Sequence, residues 1–420
     1  MKKYHLCKRL FGESDGPSRR PTLSSDNLQT IMKLYHELAA AMPRKDDDHL
    51  TGFPEDVSTA TFPEGEHFAV MVPSEIQSHI HSATHNAMAT RYQHSFTLPS
   101  GRTVNLCIWF PSSSSSSLEK SKHLSDMIHC IYAWFVFLDS RVTNPDCSKK
   151  LTIYLYMTQL TKKLPNKSRK QELSEINVNS GFTFSCKEQN VIYIFRQEEW
   201  LKVLIHESIH ALGIDFSWYV PSHATSTAHI QKIFANVHSS QLSIFEAFTE
   251  VWAELFVILL QVCMISQNEV YDNDADKQRD LELIIQNCLH YEQGWARIQC
   301  VKVLRYYGLT YQELFWKEKG SEGYRETKTA VFSYYVLKCV LMHHLDAFLT
   351  WSTQASRGRG FTYIFTSDQE YRKNIVSFCA FLVKWAQDPA YQQVIRNVED
   401  KTKRMSLGDE LRMSLWGGEI

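Results

Sequence analysis

Asn190-Val191-Ile192-Tyr193-Ile194-Phe195 leads through Arg196-Gln197 into Glu198-Glu199-Trp200-Leu201-Lys202-Val203-Leu204-Ile205-His206-Glu207-Ser208-Ile209-His210-Ala211-Leu212-Gly213. The first six residues are mostly β-branched or aromatic, the composition of a strand. The remainder has the texture of a helix. Two acids open it at the positive end of the helix dipole, apolar residues fill most of its circumference, and Gly213 stands where a C′ stop belongs. A largely apolar helix is a buried helix, and burying two His and a Glu there without partners is costly. His206 and His210 lie about one turn apart, so both imidazoles project from one face. Neutral imidazoles bind Zn²⁺ well, and Glu207, beside the first, can take a proton from a metal-bound water.

Three protein ligands plus a water make a catalytic zinc site, so the third ligand decides the subclass. In the metzincin pattern Gly213 matches, but Phe216 replaces the last His and cannot bind metal; Asp215 is one residue short of that position. The gluzincin pattern takes a Glu from a second helix. Ser243 to Gln267 reads as that helix, with Phe245, Phe248, Trp252, Leu255, Phe256 and Leu259 at helical spacing. Glu246, Glu250 and Glu254 form a carboxylate row at i, i+4, i+8, a repulsion that a cation would turn into a gain. Glu246 is assigned as ligand and Glu250 as acceptor for the free ring N–H of a ligating His. The competing assignment reads Ser243-Ile244-Phe245-Glu246 as a capping box; Glu250 would then be the ligand and Glu254 its supporting acceptor.

Asn177-Val178-Asn179-Ser180-Gly181-Phe182-Thr183, the run Val191 to Trp200 and the motif from His206 to Phe216 resemble the metallopeptidases encoded by large DNA viruses. Glu246-Ala247, Glu250, Trp252-Ala253 and Phe332-Ser333-Tyr334-Tyr335 extend the likeness, which spans about Leu151 to Trp351. The resemblance implies a gluzincin-like peptidase and leaves its substrate open. In gluzincins a downstream Tyr or His often stabilises the oxyanion, which makes Tyr334 and Tyr335 the candidates here. The expected function is hydrolysis of a peptide or protein substrate, with Zn²⁺ as cofactor and Glu207 as general base. The alternatives are a catalytically inactive zinc-binding interaction or virion-structural protein, and a zinc hydrolase of non-peptide amides.

The rest of the chain fits that expectation. Its 420 residues, 44% hydrophobic, can bury a large core, and a net charge of −1 implies no nucleic-acid partner. Lys162-Lys163 and Lys401 with Lys403-Arg404 read as solvated faces. The ten Cys are scattered without a C-x-x-C pair and suit a reducing compartment, although disulfides stay open. No signal peptide is legible, and the apolar runs Ile128–Leu138 and Leu255–Ile265 fall short of the ~18 residues that span a bilayer. The expected setting is therefore the host cytoplasm or the virion, with no membrane.

Four zones are expected: 1–91, a polar extension disordered at its start and with a helix near Leu28–Ala41; 92–214, a sheet subdomain ending in the motif helix; 215–390, a helical subdomain carrying the third ligand; and 391–420, a tail. Ser95–Leu98 and Thr103–Phe110 read as a hairpin, and Leu151–Met157 as a strand. Gly181–Cys186 and Asn190–Phe195 read as a strand pair, the second a candidate edge beside the metal. Helices are expected at 198–213, 225–237, 243–267, 275–306, 310–317, 326–352 and 368–387. The fold class is α+β, a mixed sheet followed by a helical subdomain with the metal at the junction. His223, His229 and His238 lie between the two metal helices, and one of His343-His344 could face the site.

Overall fold

The computed structural model describes residues 23–43, 67–85, 89–111, 117–166, 171–215, 217–218, 223–266, 273–316, 323–361, 363 and 367–417. Phe216 and the start of the N-terminal extension, expected to be disordered, lie outside these. Helix α1 (Ser25–Ala41) is followed by α2 (Phe68–Met71) and α3 (Ser74–His85). The sheet then begins, earlier than the expected boundary, with β1 (Ala89–Thr97) and β2 (Thr103–Pro111). The hairpin closes on Leu98 to Arg102, where Gly101 adopts φ +89°. After α4 (Ser117–Asp139) come β3 (Lys150–Tyr156), α5 (Glu175–Val178), β4 (Gly181–Thr183) and β5 (Gln189–Ile194). The sheet order is β1-β2-β3-β5-β4, with β2-β3-β5 parallel and both outer pairs antiparallel.

That order corrects one expectation. The strand Asn190–Phe195 is interior, flanked by β3 and β4, and the outer strand on that side is β4, whose far edge is unpaired among the described residues. Alternation explains the placement: Leu151, Ile153 and Leu155 pair with Asn190, Ile192 and Ile194 on one face, all buried, while Tyr154 stacks on Tyr193 on the other. A strand covered on both faces gains most in the sheet interior.

The motif helix α6 (Trp200–Ala211) lies against β4 and β5. It ends as its sequence indicates, with Gly213 at φ +65° and Gly213 N and Ile214 N bonded back to His210 O and Ile209 O. Its final carbonyl, on Ala211, accepts from Ser148 Oγ at 2.7 Å and Asn190 Nδ2 at 3.4 Å. Cys147 and Cys186 form a disulfide beside Gly213, a pairing their separation of 39 residues does not reveal in the sequence.

The helical half follows: α7 (His223–Ile233), β6 (Val237–Ser239), α8 (Ile244–Ser266), α9 (Asp274–Tyr306) and β7 (Tyr324–Glu326). Next come a π-turn at Ser333–Leu337, then α10 (Lys338–His343), α11 (Leu345–Ala355), α12 (Asp368–Ala386) and α13 (Pro389–Thr402). The expected helix 326–352 is thus broken, its start taken by β7 and its middle by the π-turn and a kink at His344. The expected 310–317 helix shrinks to one 3₁₀ turn, Gln312–Leu314. Helix α8 is long and apolar enough to cross a membrane by composition, yet 83% of its apolar window is buried inside the fold. It is the central core helix, and α1 packs on it through Tyr35, whose hydroxyl lies 2.8 Å from Ser266 Oγ. The N-terminal extension therefore contributes core, with Ile31 and Leu38 fully buried.

Residues 391–417 correct the expectation of a tail over 391–420. They include most of α13 and then a strap that threads into the core. Leu411 O accepts from Tyr335, Arg412 O from Trp295, and Met413 O from Lys338. Ser414 N donates to Glu199, and Gly417 packs so tightly on Glu199 that a Cβ there would lie 2.7 Å from its Cα.

Candidate metal centre

Helices α6 and α8 face one another with their polar residues paired in opposite senses. Lys202 meets Glu250, His206 lies between Glu250 and Glu246, and His210 meets Glu246. Regular helical spacing on both elements does this, since i, i+4 and i+8 positions share a stripe. His206 Nε2 lies 3.1 Å from Glu246 Oε2 and 3.1 Å from His210 Nε2, and His210 Nε2 lies 3.5 Å from Glu246 Oε2. His206, His210 and Glu246 thus form a cluster that could hold a metal ion.

The outer ring nitrogens are backed by carboxylates. His210 Nδ1 sits 2.7 Å from Asp215 Oδ2, which Thr249 Oγ1 and, through its other oxygen, Ser217 Oγ also approach. His206 Nδ1 lies 2.9 Å from Glu250 Oε2, off the axis of a straight hydrogen bond. Donation outward from Nδ1 leaves both Nε2 lone pairs converging on the Glu246 carboxylate. Three acceptors within one small triangle repel unless a cation or a proton lies among them. Burial would lower both imidazole pKa values, but Glu246 and Glu250 raise His206, and Asp215 and Glu246 raise His210 well above its usual value. Withdrawal from water would raise Glu246, yet His210 and His206 hold it well below the ordinary carboxylate range. Every member of the cluster is poised for positive charge at its centre.

The carboxylate row is shared out among cations. Glu246 faces the imidazoles, Glu250 takes Lys202, and Glu254 takes Lys338, whose Nζ lies 2.5 Å away. Ser243 Oγ accepts from Glu246 N at 3.4 Å, so half of the capping box of the competing reading forms while the Glu246 side chain faces the cluster. This geometry favours Glu246 as ligand and Glu250 as the group behind His206; Glu254, the alternative supporting acceptor, faces Lys338 instead. Lys202, four residues before His206 on a buried stripe, was legible as a buried ion-pair partner but was not singled out. Asp215, weighed in the sequence as a ligand, instead orients His210.

Glu207 lies on the side of α6 next to the free strand β4. A Cβ on Gly181 would sit 2.7 Å from Tyr193 O, 2.9 Å from Val203 Cγ1 and 3.4 Å from Glu207 Cγ, so only glycine lets the edge strand lie this close. Burial raises the Glu207 pKa, opposed by His206 and His210. Tyr334 lines the same cavity as His206 and Glu207, its ring centroid 6.3 Å from that of His206. Burial, with Glu246 and Glu207 nearby, pushes its hydroxyl well above the usual range, so it keeps its proton. Tyr335 does not share that place: it is fully buried and donates to Leu411 O at 2.5 Å. Neighbouring residues on a helical turn point roughly 100° apart, which gives the two side chains different surroundings.

The remaining candidates fall away from the cluster. His229 and His238 are exposed, and the His223 side chain lies outside the described residues. His343 contacts Arg297 and Tyr391, and His344 packs on Trp385. Lys162, expected on a solvated face, is 1% exposed and lies 3.0 Å from Glu199. Comparison with protein-family models, curated proteins and solved structures finds no match.

Proposed function

We propose that the chain is a zinc-dependent metallopeptidase with a gluzincin-like fold. The observation that carries this reading is the His206, His210 and Glu246 triangle backed by Asp215 and Glu250, with Glu207 beside it under a free strand edge. Tetrahedral zinc ligands at about 2.1 Å stand about 3.4 Å apart, and the donor atoms here are 3.1, 3.1 and 3.5 Å apart. His/His/Glu with an open fourth position suits catalytic zinc.

When bound, zinc supplies a Lewis acid and brings the pKa of its water towards ~7. Glu207 accepts the proton of the attacking water and delivers it to the leaving amine nitrogen. Tyr334 donates its hydroxyl hydrogen to the oxygen that gains negative charge. The outer edge of Gly181-Phe182-Thr183 aligns an extended peptide by backbone hydrogen bonds, since a free edge accepts another strand. The likeness to viral metallopeptidases rests on these same segments.

Glu207→Gln tests the reading. The variant retains one equivalent of zinc by elemental analysis and loses hydrolysis of a generic peptide mixture by ~10²–10⁴-fold, the contribution typical of a general base. Wild-type protein without stoichiometric zinc, or a variant as active as wild type, would overturn it.

A further inference from the structure

The space that His206 and Glu207 face extends into a small cavity of about 30 Å³, whose walls include Lys162, Lys202, Ser180, Tyr334, Met413 and Glu250, the last already paired with Lys202. It has room for about two water-sized groups, which is also the size of the two oxygens of a carboxylate. Its donors are under-used. An ammonium carries three N–H donors, and the contact seen for Lys162 Nζ is Glu199 Oε2 at 3.0 Å. Lys202 Nζ spends donors on Glu250 and on Met413 Sδ at 3.6 Å, a weak acceptor. Ser180 is 3% exposed, and its Oγ has no hydrogen-bond partner among the described residues. A buried hydroxyl without a partner is uncommon and calls for an explanation.

Charge leans the same way. Burial lowers the Lys162 pKa, with Lys202 adding to the lowering and Glu199 and Glu250 opposing it, so a further anion beside the ammonium would favour its charged form. The wall is rigid, because the buried Arg196 guanidinium donates to Ile176 O, Asn179 O and Thr161 O on either side of it. Long or bulky side chains do not fit so small a space.

We infer that this cavity is a subsite for a substrate carboxylate, received by Lys162, Lys202 and the Ser180 hydroxyl next to the scissile bond. The carboxylate belongs either to an Asp side chain or to the free C-terminus of a short peptide. The inference rests on the proposed peptidase activity only for the identity of its carrier.

Two measurements test it on the metal-loaded full chain. The first compares cleavage of matched peptides bearing Asp or Asn after the scissile bond, each with a free or an amidated C-terminus. The second measures calorimetric binding of N-acetyl-aspartate and its neutral diamide to the Glu207→Gln protein, which requires no turnover. Both are repeated in Ser180→Ala and in the double variant Lys162→Met/Glu199→Gln, which removes a buried pair together and leaves neither charge alone; thermal unfolding checks that each folds.

Acidic peptides are expected to exceed their amides at least ~10-fold in kcat/KM, chiefly through KM, and the acid probe to bind at least ~10-fold tighter than the diamide. Each variant should shrink these ratios ~3–10-fold, in line with lost charge-assisted hydrogen bonds. A preference that follows Asp against Asn assigns the side chain as source, and one that follows amidation assigns the C-terminus. Equal handling of acid and amide overturns the inference, as does a preference undiminished in both variants, which would place the carboxylate on the metal. Cleavage without charge preference sinks the subsite and leaves the peptidase standing. Variant-sensitive acid binding without any cleavage does the reverse.

Discussion

Glu246 and Glu254 stand two turns apart on one face of α8, identical in chemistry and opposite in behaviour. Glu246 keeps a quarter of its side chain exposed and is held far below its usual pKa by two imidazoles. Glu254 is fully buried, and burial drives it well above its usual value against the pull of Lys338, with Glu292 and Glu250 adding to the rise. The difference shows how a helix can carry a regular row of acids. Each carboxylate behaves according to what faces it: Glu254 meets a lysine, Glu250 a lysine and one imidazole, and Glu246 both imidazoles of the cluster.

Removing a partner at either end should therefore have different consequences. Glu246→Gln is expected to abolish zinc retention, with an affinity loss exceeding the ~10–100-fold typical of an outer carboxylate, while thermal stability of the metal-free protein stays near that of wild type. Lys338→Met should do the opposite. It leaves Glu254 buried without its cation and costs about 3–5 kcal/mol by denaturant unfolding, with zinc still bound at one equivalent. If both substitutions removed metal and stability alike, the two ends of the row would not be separable.

Asp215→Ala sharpens the comparison from the His side. Loss of the 2.7 Å contact to His210 Nδ1 should weaken zinc binding ~10–100-fold in a competitive chelator titration, an effect between those of the two ends. Glu326 supplies a third environment, a buried carboxylate whose hydrogen-bond partners are all neutral: Ser239 Oγ, Tyr324 Oη and Phe332 N. Burial outweighs these donors and raises its pKa to about 7 from an ordinary value of 4.5. The folded protein then binds more protons than the unfolded chain between these values, so this group's contribution to stability falls as pH rises through that window. Its slope is at most about 1.4 kcal/mol per pH unit. Glu326→Gln should flatten that part of the stability profile, and an unchanged profile would exclude Glu326 as its source.

The sequence displayed the clustered residues because local spacing carries them. His206, His210 and Glu246 sit on helices whose apolar periodicity is strong, and their chemistry is readable from residue type. Helix α8 was legible within a residue of its ends, and so was the α+β order of elements. The position of β5 was not, because an apolar strand reads the same in the interior of a sheet or at its edge until its neighbours are known. Tyr334 and Tyr335 could not be told apart either, since helical spacing shows that neighbours point apart but not which of them faces a distant element. Lys338 and the strap were missed for a different reason. Their partners lie at distant points of the chain, and nothing near Met413 in sequence marks it as a wall of the cavity.

The strap also sets a clock. Ser414 follows Glu199, the carboxylate it closes on, by 215 residues. At ribosomal rates of about 5–20 residues per second, roughly 10–40 s separate synthesis of the two. Until then Glu199, and Lys338 once it is made, lack the backbone groups that close their network, and the cavity lacks Met413. Closure of this network is thereby deferred until the strap has followed Glu199 out of the ribosome, and Glu199 spends that interval without the backbone donor that closes on it.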